Sequence, residues 1–211
     1  PTEATVPATV TILAGQASAA FAVDAQDDFV ADGVQPVTVT ATATGYVEAA
    51  DQLDVTDNDT AGITISRTTG LTTSETGGTD TFSVQLNSQP TADVTIGLSS
   101  SDASEGIVSP ASVTFTAGNW NSPQTVTVSG VNDAVADGDV GYTIVTAAAV
   151  SADANYNSLI AANVAVTNTD DDTAGITVSP SGGLITTESG GTATCTIVLN
   201  TQPTADVTIG L

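Results

Sequence analysis

Residues 60–98 read TAGITISRTTGLTTSETGGTDTFSVQLNSQPTADVTIGL. They return 113 positions later, at 173–211, as TAGITVSPSGGLITTESGGTATCTIVLNTQPTADVTIGL, identical at 26 of 39 positions. Self-similarity at a fixed period marks a chain built from copies of one unit that stack on their neighbours. The changes between copies are conservative: Ile65 becomes Val178, Phe82 becomes Cys195 and Val84 becomes Ile197. A weaker match ties the head of the chain to the later part of the same unit. VPATVTILAG (6–15) resembles SPASVTFTAG (109–118), and DAQDDFVADG (24–33) resembles SGVNDAVADG (129–138). AADQLDVTDNDTAGI (49–63) resembles AANVAVTNTDDDTAGI (161–176) with a one-residue difference in length. The expected organisation is the back part of one unit over 1–59, a complete unit over 60–172 and the front part of a further unit over 173–211. Head and tail are then two pieces of one domain. Two arrangements follow: a window of a long tandem array, or subunits that complete one another head to tail by strand exchange.

Within the complete unit the hydrophobic period is two. Phe82, Val84 and Leu86 alternate with polar residues, as do Val94, Ile96 and Leu98, Val113 and Phe115, Val126 and Val128, Tyr142 and Ile144, and Val164 and Val166. Threonine and valine suit half-buried strands. Turn residues separate the runs at Gly77-Gly78, Asn87 to Pro90, Ser109-Pro110, Gly118 to Pro123 and Asp137-Gly138. With Gly62–Ser66 as a first strand, about seven short strands in a unit of this size predict an antiparallel, immunoglobulin-like β-sandwich. The Ala-rich run 146–157 reads as a strand end and loop with room for a helical turn. Trp120, in the turn GNWNSP, reads as a plug over the sandwich end or as a stacking platform for a ligand.

Composition then excludes chemistry. The chain has one basic residue, Arg67, no histidine, and 24 acidic residues for a net charge of −23. Such a surface repels nucleic acid and anionic membranes. Without histidine there is no Ser-His-Asp triad, Cys-His pair or His-ligated zinc. Without lysine there is no Schiff base, P-loop lysine or lysine isopeptide bond. The single Cys195 forms no internal disulfide and, aligned with Phe82, is expected to be a small buried hydrophobe. The 40% hydrophobic content sets the chain apart from disordered acidic tails. No stretch is apolar enough to span a bilayer, and position 1 is not expected to be a native start.

The acidic residues are concentrated in recurring loops. In the complete unit these are Glu75 in TSETGGT, Asp102 and Glu105 in SSSDASEG, Asp133, Asp137 and Asp139 in NDAVADGD, and the closing Asp170, Asp171 and Asp172. Loops of an antiparallel sandwich collect at its two ends, so several clusters are expected to meet at one end beside the junction with the next unit. Carboxylates packed without basic partners repel one another, and a hard cation relieves this. Ca²⁺ takes oxygen ligands from carboxylates, carbonyls and water, whereas Mg²⁺ keeps its water. The competing reading is solvated Asx turns, and Asp153 in SADANYN is open between the two. Paired carboxylates also occur in glycoside hydrolases, but here they lie in repeated loops with no aromatic-lined cleft.

The E-x-G-G turn at Glu75 to Gly78, the acidic turn Asp102 to Gly106, the loop Asp133 to Asp139 and the terminal Asp170 to Asp172 together resemble the Calx-beta domain. That family occurs in sodium–calcium exchangers and in long arrays of bacterial surface proteins. The resemblance implies a sandwich that holds calcium in loops at one end. It implies as ligands Glu75, Asp102, Asp133, Asp137, Asp139, Asp170, Asp171 and Asp172. In the first unit it implies Asp28, Asp32, Asp57 and Asp59, and in the third Glu188. The sequence departs from the family in its sparser acidic loop: Val34 stands at the place of Asp139 and Asn58 at that of Asp171.

The expected function is mechanical and non-enzymatic: a segment of a stalk, filament or surface layer of a secreted bacterial protein, with calcium stiffening the joints. The expected partners are neighbouring repeats or identical subunits. The alternative is an adhesive module that recognises glycan or a cell-surface protein.

Overall fold

The computed structural model describes residues 3–211, and every regular element among them is a β-strand. The first segment holds β1 (Ala4–Thr5), β2 (Asp24–Ala25), β3 (Gln35–Ala41) and β4 (Ala49–Val55), where β1 pairs β2 and β3 pairs β4. The middle segment holds β5 (Ile63–Ile65), β6 (Leu71–Ser74), β7 (Thr79–Leu86), β8 (Val94–Ser100), β9 (Gly106–Ser109), β10 (Ser112–Phe115), β11 (Gln124–Gly130), β12 (Val140–Thr146), β13 (Val150–Ser151) and β14 (Val164–Thr169). In the last segment β15 (Ile176–Ser179) pairs β16 (Thr196–Leu199).

The middle segment forms two sheets facing one core. One has the order β10-β8-β12-β14-β6, with β13 also on β8, and the other has the order β5-β7-β11-β9. All pairings are antiparallel except β6 with β14, which is parallel. The core follows the two-residue period. Val84, Val94, Ile96, Phe115, Val126, Val128, Ile144 and Val164 are fully buried. Each such side chain contributes about 1.5–3 kcal/mol by leaving water.

This segment has three strands beyond those the alternation predicts: β6, β9 and β13. In β6 (LTTS) the second inward residue is Thr73, buried because its hydroxyl donates to Asn168 Oδ1 at 2.9 Å. Inward threonines hide the period from a hydrophobicity reading. The run 146–157 contains β13 and turns, and no helix. Its turn is closed by Asp153, whose carboxylate accepts from the backbone of Thr91 at 2.8 Å and Asn155 at 2.9 Å. Burial opposes the charge of Asp153, but these donors outweigh it and hold the carboxyl below its ordinary value. The open reading of Asp153 thus resolves to a structural turn residue.

Cys195 departs from expectation. It is exposed, whereas its counterpart Phe82 is 2% exposed. The facing sheet that covers Phe82 has no equivalent over residues 173–211.

Candidate metal centre

Two triads of carboxylates meet at one end of the middle sandwich. Oxygens of Glu75, Asp133 and Asp172 lie within 4.8 Å of one another, and so do those of Glu105, Asp133 and Asp137. Asp133 belongs to both. Strand register sets this up. In the parallel pair β6–β14 Ser74 faces Thr169, and the next residue, Glu75, donates its N–H to Thr169 O at 3.1 Å. Glu75 is therefore held beside the 170–172 run. In the pair β9–β11 Gly106 faces Gly130, and Val131 N donates to Glu105 O at 3.0 Å. Glu105 is therefore held beside the 131–139 loop.

Asp170 ties the two loops together. One of its oxygens accepts Gly138 N and the other Asp172 N, each at 2.7 Å. Gly138 sits at φ +81°, where a side chain is strained. Asp133 shapes its own turn by accepting Val135 N at 2.7 Å.

Glu75 is only 4% exposed, and its Oε2 has no hydrogen-bond partner. The sole cation, Arg67, is spent elsewhere, bridging to Asp80 at 3.0 Å. A buried carboxylate without donor or counter-charge is costly in the ionised form. Burial, and then the charges of Asp133 and Asp170, push the Glu75 carboxyl up. Burial and the nearby Asp170 and Asp171 do the same for Asp172. Glu105 is raised by burial, an effect only partly offset by Asn168, whose amide donates to Glu105 Oε2 at 3.4 Å. Asn168 is itself held by Thr73, and Thr73 lies 3.2 Å from the hydroxyl of the buried Tyr142.

The pH dependence of the metal-free protein follows. Glu75, Glu105 and Asp172 bind protons more tightly folded than unfolded. The folded state therefore holds more protons just above their ordinary values of 4.5 and 3.8. Stability then falls as pH rises through that window toward neutrality. On the acid side Asp102 works oppositely, because the hydroxyl and N–H of Ser104 hold its carboxyl down and that contribution disappears below 3.8. Thermal melts in EGTA should show a maximum at weakly acidic pH. A midpoint that climbs steadily from pH 5 to pH 8 would contradict this.

The residues expected from sequence fall into distinct places. Glu75, Asp133, Asp137 and Asp172 come together. Asp170 positions them. Asp139 accepts Asp170 N at 3.3 Å and, like the exposed Asp171, stands outside both triads. Asp102 is exposed and caps its own turn through the N–H and hydroxyl of Ser104. Glu105 enters the site although nothing in the local pattern ranks it above Asp102; burial at the start of β9 makes the difference.

The first segment repeats the construction. Gly33 N and Asp59 N donate to the two oxygens of Asp57 at 2.7 Å each, and Val30 N donates to Asp28 Oδ1 at 2.8 Å. Asp28, Asp32, Asp57 and Asp59 line a cavity of about 150 Å³ together with Glu3. The strand pairing Ala4↔Ala25 matches Gly106↔Gly130, so Glu3 takes the place of Glu105. Sequence comparison missed Glu3 because the segment after it is one residue shorter than the segment after Glu105. Asp28 Oδ2 is buried and unpartnered, as Glu75 Oε2 is. Glu188, the counterpart of Glu75, is exposed.

The same loops make the contacts between segments. Gln89 N donates to Phe29 O at 2.6 Å, and at the equivalent positions Gln202 N donates to Ala134 O at 2.6 Å. At the first junction Asn155 Nδ2 also donates to Ala31 O at 2.6 Å, and the rings of Phe29 and Trp120 lie 5.8 Å apart. Trp120 is half-buried against the core.

The cluster is made of groups that could hold a hard cation. It offers five carboxylates, no basic group and one orphaned buried oxygen. Among the described residues it holds no nucleophile–base pair.

No family model matches the chain, and no curated protein sequence matches it. Solved structures match at low identity. The periplasmic chaperone SfaE matches with 12% identity and a TM-score of 0.42, over 52% of this chain and 58% of that one. WR4, a C. elegans MSP family member, matches with 15% identity and a TM-score of 0.34, over 51% and 96%. Domains 4 and 5 of the S-layer protein SbsC match with 18% identity and a TM-score of 0.32, over 74% and 87%. This chain thus spans little more than half of the chaperone's length. The chain itself is an all-β protein built on antiparallel sheets, with a β-sandwich at its centre.

Proposed function

We propose that this chain is a non-catalytic segment of a long extracellular structural protein, a stalk, filament or surface-layer component, in which Ca²⁺ at the acidic end of each sandwich stiffens the joint to the next. One observation carries the reading. The loop that contributes Asp133 and Asp137 to the carboxylate cluster also docks the following segment through Ala134, and the equivalent loop in the first segment docks in the same way through Phe29. A cation that orders this loop orders the joint. Extracellular modules commonly bind calcium at about 0.1–1 mM. The adhesive alternative depends on Trp120 as a platform; the indole is packed on the core and on Phe29, so no observation favours it.

The test is thermal unfolding in EGTA and in calcium. With ~10 mM Ca²⁺ and a dissociation constant of ~0.1 mM, binding adds about 2.7 kcal/mol. For a domain of this size that raises the midpoint by about 10 °C. Glu75→Gln should abolish most of this shift while leaving the metal-free protein at least as stable as the parent, since the lost charge is uncompensated. An unmoved midpoint on adding calcium would sink the metal reading.

A further inference from the structure

We propose that the parallel pair β6–β14 is a shear clamp that carries tension through the middle sandwich, and that a cation held by Glu75 and Asp172 closes its end. The work such a clamp does, holding a stretched tether together, rests on the stalk reading above. The clamp itself rests on strand directions alone.

The chain enters the middle sandwich before β5 and leaves it after β14, and it continues on both sides. A pull along the chain therefore acts on the start of the first strands and on the end of the last. It draws β6 backwards from Leu71 and β14 forwards from Thr169. In a parallel pair these are opposite ends of neighbouring strands. The pull then runs along the strands rather than along the hydrogen bonds between them. All of those bonds are loaded together, and none opens before the others. An antiparallel pair pulled from its two adjacent ends unzips one bond at a time. β6–β14 is the one parallel pair among the described strands.

The sequence around β6 reinforces this pair. The register from Val166↔Leu71 to Thr169↔Ser74 is extended past both ends of β6. Ala165 N donates to Thr68 O at 2.9 Å, and Glu75 N donates to Thr169 O at 3.1 Å. Side chains add links that sliding would break. The Thr73 hydroxyl donates to Asn168 Oδ1 at 2.9 Å, and the Thr169 hydroxyl donates to Thr73 O at 3.2 Å. Valine at position 73 would be buried as well, but it could not bond to the partner strand. On its other side β6 is held to β7 by Asp80, whose Oδ2 accepts Thr72 N at 3.2 Å. The chain's one basic residue, Arg67, donates to both oxygens of Asp80 and to Gly70 O. It fixes the segment through which the pull reaches β6. β5, which comes earlier on that path, pairs β7 over three residues only. It yields first, and the tension then falls on β6.

The acidic site lies at the end of the clamp where β14 is pulled. Glu75 directly follows β6, and Asp172 lies three residues past β14. Their carboxylate oxygens and one of Asp133 lie within 4.8 Å of one another. A Ca²⁺ ion shared by them ties the end of one strand to the chain leaving the other. Its bonds must break together with the ladder.

The test is forced unfolding of single molecules of the 211-residue chain at one loading rate, with the exposed Cys195 as one anchor. With the N-terminus as the second anchor, the pull shears β6 against β14. With Ala136→Cys as the second anchor, the pull opens β12 from β14 at their adjacent ends, Val140 and Asn168. Sheared rupture of the middle sandwich is recognised by its length, since residues 60–172 at about 3.5 Å each release about 400 Å of chain. Forced unfolding reads the barrier to unfolding rather than equilibrium stability. In EGTA the sheared geometry should need a severalfold higher force than the opened one. Equal forces in the two geometries overturn the clamp, whatever calcium does to the melting midpoint. Calcium should raise the force in the sheared geometry further, and Glu75→Gln should remove that rise. If calcium raises the melting midpoint but not this force, the closing role of Glu75 and Asp172 falls. If calcium changes neither, the calcium reading falls, and a higher force in the sheared geometry still supports the clamp.

Discussion

Gly106→Ala should destabilise the middle sandwich by about 3 kcal/mol, a cost typical of overpacking a tight core, and Tyr142→Val should cost less in that background than it does alone. A Cβ at Gly106 would sit 2.1 Å from the Tyr142 hydroxyl and 2.3 Å from the ring carbon that bears it. Tyr142 is 4% exposed and its hydroxyl is engaged with Thr73, so the ring has nowhere to go. The first segment shows the compensated pair: Ala4 stands for Gly106 and Val37 for Tyr142. The neighbouring pair behaves alike. A Cβ at Gly130 would meet Ser74 O at 2.3 Å and Asn168 Oδ1 at 2.5 Å, and the first segment has Ala25 and Val55 at those places. A double-mutant cycle by urea unfolding measures the coupling. Additive costs for Gly106→Ala and Tyr142→Val would show that the two positions do not share space.

Tyr156→Ala should cost about 3–5 kcal/mol, the range for deleting a large buried ring. Tyr156 is 1% exposed and is the largest fully buried side chain. Its hydroxyl accepts Ser88 N at 3.0 Å, donates to Ser88 O at 2.7 Å and lies 2.8 Å from Ser88 Oγ. It therefore pins the β7–β8 turn to the 147–163 loop. Tyr156→Phe keeps the ring and strands the Ser88 groups, so it should cost about 1–3 kcal/mol. Equal losses for both variants would mean that the ring, and the cavity it leaves, contributes nothing beyond the hydroxyl. The first segment has no counterpart of this loop, because its β3–β4 connection is only residues 42–48.

Most of the strands were legible because half-buried strands must alternate. β7, β8, β10, β11, β12 and β14 each carry at least two valine, isoleucine, leucine or aromatic residues spaced two apart on the buried face. The strands that were not legible hide their inward positions. β6 buries Thr73 through hydrogen bonds, β9 is four residues long, and β13 is two. The acidic loops were legible as clusters, since 24 acids and one base leave no other way to read them. Their membership was less so. Asp102 and Glu105 are three residues apart in one turn, yet Asp102 bonds its own backbone in water while Glu105 is buried against Asn168. Short-range pattern does not distinguish a turn-capping carboxylate from a clustered one.

The sequence by itself determined the all-β alternation, the 113-residue period, the absence of histidine and lysine chemistry, and the placing of acids at the ends of strands. These are local properties, set by side-chain period and residue type. Only the tertiary structure decided which acids meet. The parallel register of β6 on β14 carries Glu75 to the 170–172 run, 95 residues away, and the β9–β11 pairing carries Glu105 to Asp133 and Asp137. A strand's own alternation sets which face it buries, but the partner it pairs with lies far away in sequence and is not written in the strand itself.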